Sequence, residues 1–104
     1  MEGNCVFVIR RKNNQQEEEI GSFLRRITLS VRTVLDKFDS VILDARGRNI
    51  SYACDIATSK NLENFVEIKD IKLNKVMIEA KEGNPKKKII RLASLRIELK
   101  RLSR

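Results

Sequence analysis

A chain of 104 residues has room for one domain with one modest core, and 41% apolar with 35% charged residues excludes a disordered composition. The formal net charge of +8 favours an acidic partner, nucleic acid above all. Two cysteines, no histidine and no run of ~20 apolar residues exclude a disulfide framework, a metal cluster of common spacing, a Ser or Cys triad of the usual kind and a membrane-crossing helix.

Met1 to Val6 has neither a basic n-region nor a long apolar h-region, so it does not read as a secretory signal, and a cytoplasmic protein is expected. Cys5-Val6-Phe7-Val8-Ile9 is an almost wholly apolar run, expected as a short strand buried on both faces. The polar break Arg10-Arg11-Lys12-Asn13-Asn14 follows. Asn14 with Glu17 matches a capping box, and Glu17, Glu18 and Glu19 suit the positive end of a helix. In that helix Ile20, Phe23, Leu24, Ile27, Val31, Val34, Leu35 and Phe38 fall at i, i+3, i+4, i+7 spacing, a stripe suited to packing on a sheet. Asp39-Ser40 is a turn and Val41-Ile42-Leu43 a second buried strand. Strand, helix and strand in this order imply a right-handed crossover between parallel strands.

The segment Asp44-Ala45-Arg46-Gly47-Arg48-Asn49-Ile50-Ser51 is the most informative in the chain. It lies where the second strand hands over to a helix marked by Ile50, Ala53, Cys54 and Ala57. In an extended segment Arg46 and Arg48 point the same way, and Gly47 lets the backbone come close to a ligand. Asn49 is a good N-cap, and a helix N-terminus favours phosphate. These ingredients suggest contacts to a nucleic-acid backbone. The second helix is expected from about Ile50 to Asn61, with Cys54 as a small core residue. Tyr52 either packs or stacks on a base or ribose. Phe65 is either core or a partner contact.

From Val66 the period changes to two. Val66-Glu67-Ile68 and Ile71-Lys72-Leu73 alternate around a phase slip at Lys69-Asp70, expected as a bulge. Lys81 to Lys88 reads as a turn, and Ile89 to Leu99 returns as a strand. The two strands are long for so small a domain, so a hairpin with a lysine-rich tip is expected to project from the body. Charge follows the same division. Residues 1–65 hold 10 basic and 9 acidic side chains, whereas residues 66–104 hold 12 basic and 5 acidic. The order is therefore βαβαββ, an α/β (α+β) sandwich of two helices on a four-stranded mixed sheet, in a single domain over 1–104. No nucleophile–base pair stands out, so neither an enzyme nor a cofactor is expected.

With this order, Ala45-Arg46-Gly47-Arg48-Asn49-Ile50-Ser51, the continuation Tyr52-Ala53-Cys54-Asp55 and the stretch Val66-Glu67-Ile68-Lys69-Asp70-Ile71, the chain resembles the Alba family of archaeal chromatin and RNA-binding proteins. The resemblance implies a chromosome-associated dimer that binds double-stranded DNA, and RNA too, without strong sequence preference. The dimer bodies would lie over the duplex while the hairpins reach along the minor groove. It implies nucleic-acid contacts for Arg46, Gly47, Arg48 and Asn49, for the hairpin tip with Lys86, Lys87 and Lys88, and for Arg91 at its base. The chain departs from the family in lacking the Gly-Lys-Lys-Pro run between the first strand and first helix. Arg10, Arg11 and Lys12 stand in its place, followed by an acidic insertion, and only Lys12 could take over a role in lysine acetylation. Such departures suit a divergent paralogue that forms a homodimer or pairs with a more typical Alba protein. Service as an RNA-binding subunit in RNA processing is the alternative.

Overall fold

A computed structural model of the protein describes residues 3–13, 16–79 and 89–102. Its elements in chain order are β1 (Cys5–Phe7), β2 (Lys12–Asn13), β3 (Gln16–Glu17), α1 (Ile20–Lys37), β4 (Ser40–Arg46), α2 (Asn49–Ala57), α3 (Lys60–Glu63), β5 (Val66–Glu79) and β6 (Ile89–Arg101). Four strands make one mixed sheet in the order β1-β4-β6-β5, with β1 parallel to β4 and the other pairs antiparallel. The expected βαβαββ two-layer fold is observed, with β2 and β3 added as a small antiparallel hairpin before α1.

The alternation of side chains along each strand decides where the core lies. Val6 and Val8, then Val41, Leu43 and Ala45, then Leu95, Ile97 and Leu99, are buried on one face of the sheet. The helices cover that face. Phe23, Ile27, Val31 and Leu35 lie four apart along α1 and are buried against it, with Ala53, Ile56 and Ala57 of α2 and Leu62 of α3. Tyr52 packs into the same layer, its ring edge-on to Phe23 at 5.1 Å between centroids. Packing is thus the role of Tyr52 here.

The expected burial of the first strand and of Cys54 and the expected extent of the second helix are corrected. The first strand is buried on one face only, since Phe7 and Ile9 are 59% and 56% exposed. In a two-layer fold nothing covers the second face, and an unbroken apolar run does not reveal that. Cys54 is exposed. The second helix breaks at Thr58-Ser59, and its nine-residue first part turns Ala53, Ile56 and Ala57 inward, leaving position 54 one step off that face. Leu62 belongs to the core on a separate short helix, while Phe65 stays half exposed under the Arg32 guanidinium, 4.8 Å from its ring centre.

The bulge is where the alternation slips, with a register shift between Ile68 and Asp70. Both termini of the described chain lie at one end of the sheet. Gly3 sits against the Phe38 ring, and the Leu102 amide donates to the Phe65 carbonyl.

Candidate nucleic-acid interface

Strand registers bring the cations together at the other end. β1 and β4 run parallel, with Phe7 beside Asp44, so the chain leaving β1 as Arg10-Arg11-Lys12 and the chain leaving β4 as Arg46-Gly47-Arg48 emerge at the same edge. Arg46 is paired with Ser94 of β6, and Ser94 with Asn74 of β5. Beyond that rung β5 and β6 continue alone through the pairs from Lys75–Ala93 to Glu79–Ile89. At ~3.4 Å per residue those five rungs carry the hairpin ~17 Å past the end of β4. The arm inferred from strand length is therefore real up to Glu79 and Ile89. Its expected tip, with Lys86, Lys87 and Lys88, lies outside the described residues. Arg91, opposite Met77, and Lys75 are exposed on its base.

Gly47 makes the turn at the centre of this end. Its φ is +57°, in the left-handed region that other residues adopt only at a cost. Its amide donates to the Ala93 carbonyl at 2.9 Å, which pins the turn to β6, and its carbonyl accepts from the Ile50 amide at 3.1 Å. A side chain here would also meet Leu92 at 3.4 Å. The turn corrects one expectation. Arg46 and Arg48 do not share an extended segment, so the i, i+2 rule does not apply. Strand alternation puts Arg46 on the face away from the helices, whereas Arg48 has helical dihedrals and starts α2. The two guanidiniums rim one end of the molecule from its two layers.

Asn49 is not the N-cap. That position is Arg48, and no side chain caps α2. Asn49 Oδ1 instead accepts from the Arg10 backbone amide at 3.5 Å, tying the exit of β1 to α2.

Of the acidic insertion only Glu19 stands at the helix start, as the N-cap of α1, and Asn14 of the expected capping box lies outside the described residues. α1 begins after Glu19, with no acidic residue in its first turn and no side-chain cap. Glu18 finds stronger partners than helix amides. Its two oxygens accept from Arg26 Nε at 3.0 Å and Nη2 at 2.9 Å, and Oε1 also accepts from the Arg11 amide at 3.2 Å. Such a forked, charge-assisted pair is stronger than a carboxylate at a helix end. The Arg26 hydrogen bond is the main reason the Glu18 carboxyl is lowered from 4.5 to about 2, helped by the Arg11 amide and by both positive charges. The same bond raises Arg26.

Arg10 is part of this structure rather than an open cation. Its Nε donates to the Glu18 carbonyl at 2.7 Å, and Nη1 reaches Tyr52 Oη at 3.0 Å and Glu17 at 3.1 Å. Glu17 also pairs with Arg48 at 2.8 Å. Arg11 and Lys12 are exposed. The side chains of Arg11, Arg46, Lys75 and Arg91 have no hydrogen-bond or ion-pair partner among the described residues. Two participants escaped the sequence reading, Lys75 and Glu17. Counting the β5–β6 register back from Arg46 would have found Lys75. Nothing local marks Glu17.

No protein-family model matches the chain, and no curated protein matches it either. Among solved structures the chain is similar to Alba from Thermoplasma volcanium, with a TM-score of 0.67 and 22% identity, over 94% of this chain and 100% of that one. The chain thus has the fold that its motif residues suggested.

Proposed function

We propose that this protein is an architectural, chromosome-associated nucleic-acid binder that grips the phosphate backbone of double-stranded DNA, and RNA too, without reading sequence and without catalysis. The observation that carries the reading is the gathering of Arg11, Lys12, Arg46, Arg48, Lys75 and Arg91 at one end of the sheet, around a glycine turn and the base of a projecting hairpin. Arginine and lysine at an exposed rim neutralise phosphates and release counterions, which gives affinity without base recognition. In sequence, Lys86, Lys87 and Lys88 add three more positive charges between β5 and β6. Asn49 contributes by holding the exit of β1 in place.

The working unit is a dimer, a homodimer or a pair with an Alba-type paralogue. In support, Ile68, Ile71, Leu73 and Met77 share the helix side of edge strand β5 and are all exposed, Leu73 by 69%. An apolar strip of that length on an unpaired edge marks an association surface.

The test is affinity for a duplex DNA and for a structured RNA across a salt series, on wild type and Arg46→Ala/Arg48→Ala. Loss of both contacts lowers DNA affinity about tenfold and flattens the log–log salt slope by about 1.8. Binding to both probes that ignores the double variant sinks the reading. A tenfold loss confined to the RNA moves it to RNA processing.

A further inference from the structure

The hairpin between β1 and α1 sets a carboxylate against one of the two motif arginines. Glu17 Oε1 lies 2.8 Å from Arg48 Nη1, and Glu17 Oε2 lies 3.1 Å from Arg10 Nη1. We infer that Glu17 is a built-in competitor for phosphate, an autoinhibitory latch that nucleic acid must displace from Arg48 before that residue can bind. The inference rests on the nucleic-acid reading above.

Two features make the pair a latch rather than ordinary surface charge. The first is anchoring. Glu17 sits on β3, paired with Lys12 on β2, and the next residue is fixed by Arg26, by the Arg11 amide and by Arg10 Nε on its carbonyl. Glu17 is thus held in position before any ligand arrives, and little chain entropy is spent in keeping it there. The second is weakness at the point of contact. The Arg48 side chain is 71% exposed and that of Glu17 is 37% exposed. An ion pair so open to water contributes little and is screened by salt. Strong anchoring behind a weak contact is what a displaceable competitor needs. Arg10 has other partners in the Glu18 carbonyl and Tyr52, so losing Glu17 leaves it in place. Arg46, across the Gly47 turn, meets no such carboxylate among the described residues. The two motif arginines are therefore unequal, one open and one masked.

The experiment is a double-mutant cycle on the full chain. Duplex-DNA affinity is measured at fixed low salt for wild type, Glu17→Gln, Arg48→Ala and the double variant, with Glu63→Gln on α3 as a change of equal charge at the far end. The latch predicts that Glu17→Gln binds about two- to fivefold tighter with a steeper salt slope, that Glu63→Gln does not match it, and that the gain vanishes when Arg48 is alanine. An equal gain in the Arg48→Ala background overturns the latch and leaves a general charge effect. No gain from Glu17→Gln, while Arg48→Ala still weakens binding, overturns the latch and spares the phosphate-contact reading. If Arg48→Ala binds like wild type, the latch and the Arg48 phosphate contact fall together, because a mask over a residue that binds nothing regulates nothing, and the wider reading is then judged by Arg46→Ala/Arg48→Ala. Thermal unfolding of each variant, with Arg10→Ala as a reference for a loosened hairpin, separates loss of the latch from loss of structure.

Discussion

The two ends of this sheet use arginine differently. At the end where β4 begins, two arginines are held against the fold, while Lys37 and Lys100 stay exposed. Arg101 donates to the Leu35 carbonyl at 2.8 Å and Arg32 lies over the Phe65 ring. At the end where β4 stops, Arg11, Arg46, Lys75 and Arg91 stand exposed. Apolar burial underlies both ends. The second is shaped by a glycine turn, a two-rung hairpin and two strands that outrun their neighbours. A net charge of +8 does not by itself make a binding surface. The surface comes from strand registers that bring open cations to a common edge while Arg10, Arg26, Arg32 and Arg101 serve the structure.

That contrast predicts a separation of effects. Leu35→Ala, on the buried stripe of α1 at the end away from the open cations, should cost about 2–5 kcal/mol of stability, a large share of what a domain this size has. Denaturant unfolding reads that loss, and DNA affinity of the folded fraction should stay near wild type. A matching fall in affinity would break the comparison. Gly47→Ala acts at the other end, on both properties. The left-handed φ costs about 1–2 kcal/mol for a residue with a Cβ, and any relaxation of the turn moves Arg46 and Arg48 with it. Unfolding and binding measured on one preparation check whether they change together.

The smallest effect is in pH. The Glu18 carboxyl is lowered from 4.5 to about 2 by Arg26. A depressed carboxyl adds stability that is complete above its ordinary value and is lost as pH falls through the folded one. The stability difference between wild type and Glu18→Gln should therefore be constant above about pH 5. It should shrink between 4.5 and about 2. A difference that persists unchanged at the acid end would mean that the Arg26 pair is not its source.

How much of this the sequence makes legible depends on how local the determinants are. The α1 stripe, the alternation after Val66 and the slip at Lys69-Asp70 are periodicities of single segments, and each appears in the fold as expected, except that Ile20 and Phe38 at the ends of the stripe stay exposed. Arg46-Gly47-Arg48 announces itself because a glycine between a strand and a helix has few other uses. Its geometry is less legible, since two arginines two apart suggest one face until the φ of Gly47 is known. The β2–β3 hairpin is hidden for a stronger reason. Three glutamates before an apolar stripe carry the composition of a helix start. Glu18 and Arg26 are eight residues apart, and they meet only because the chain folds back before α1. One-sided burial of β1 is hidden because the number of layers is a property of the whole fold.

The position of the termini has a practical consequence. Gly3 and Leu102 both lie beside the end where β4 begins, against Phe38 and Phe65, and the open cations occupy the opposite edge. A segment joined before the one or after the other is attached at the end away from those cations. A molecule tethered by its termini to a bead or sensor surface would present its cationic rim outward, and a fused domain of ordinary size would trail away from a bound duplex.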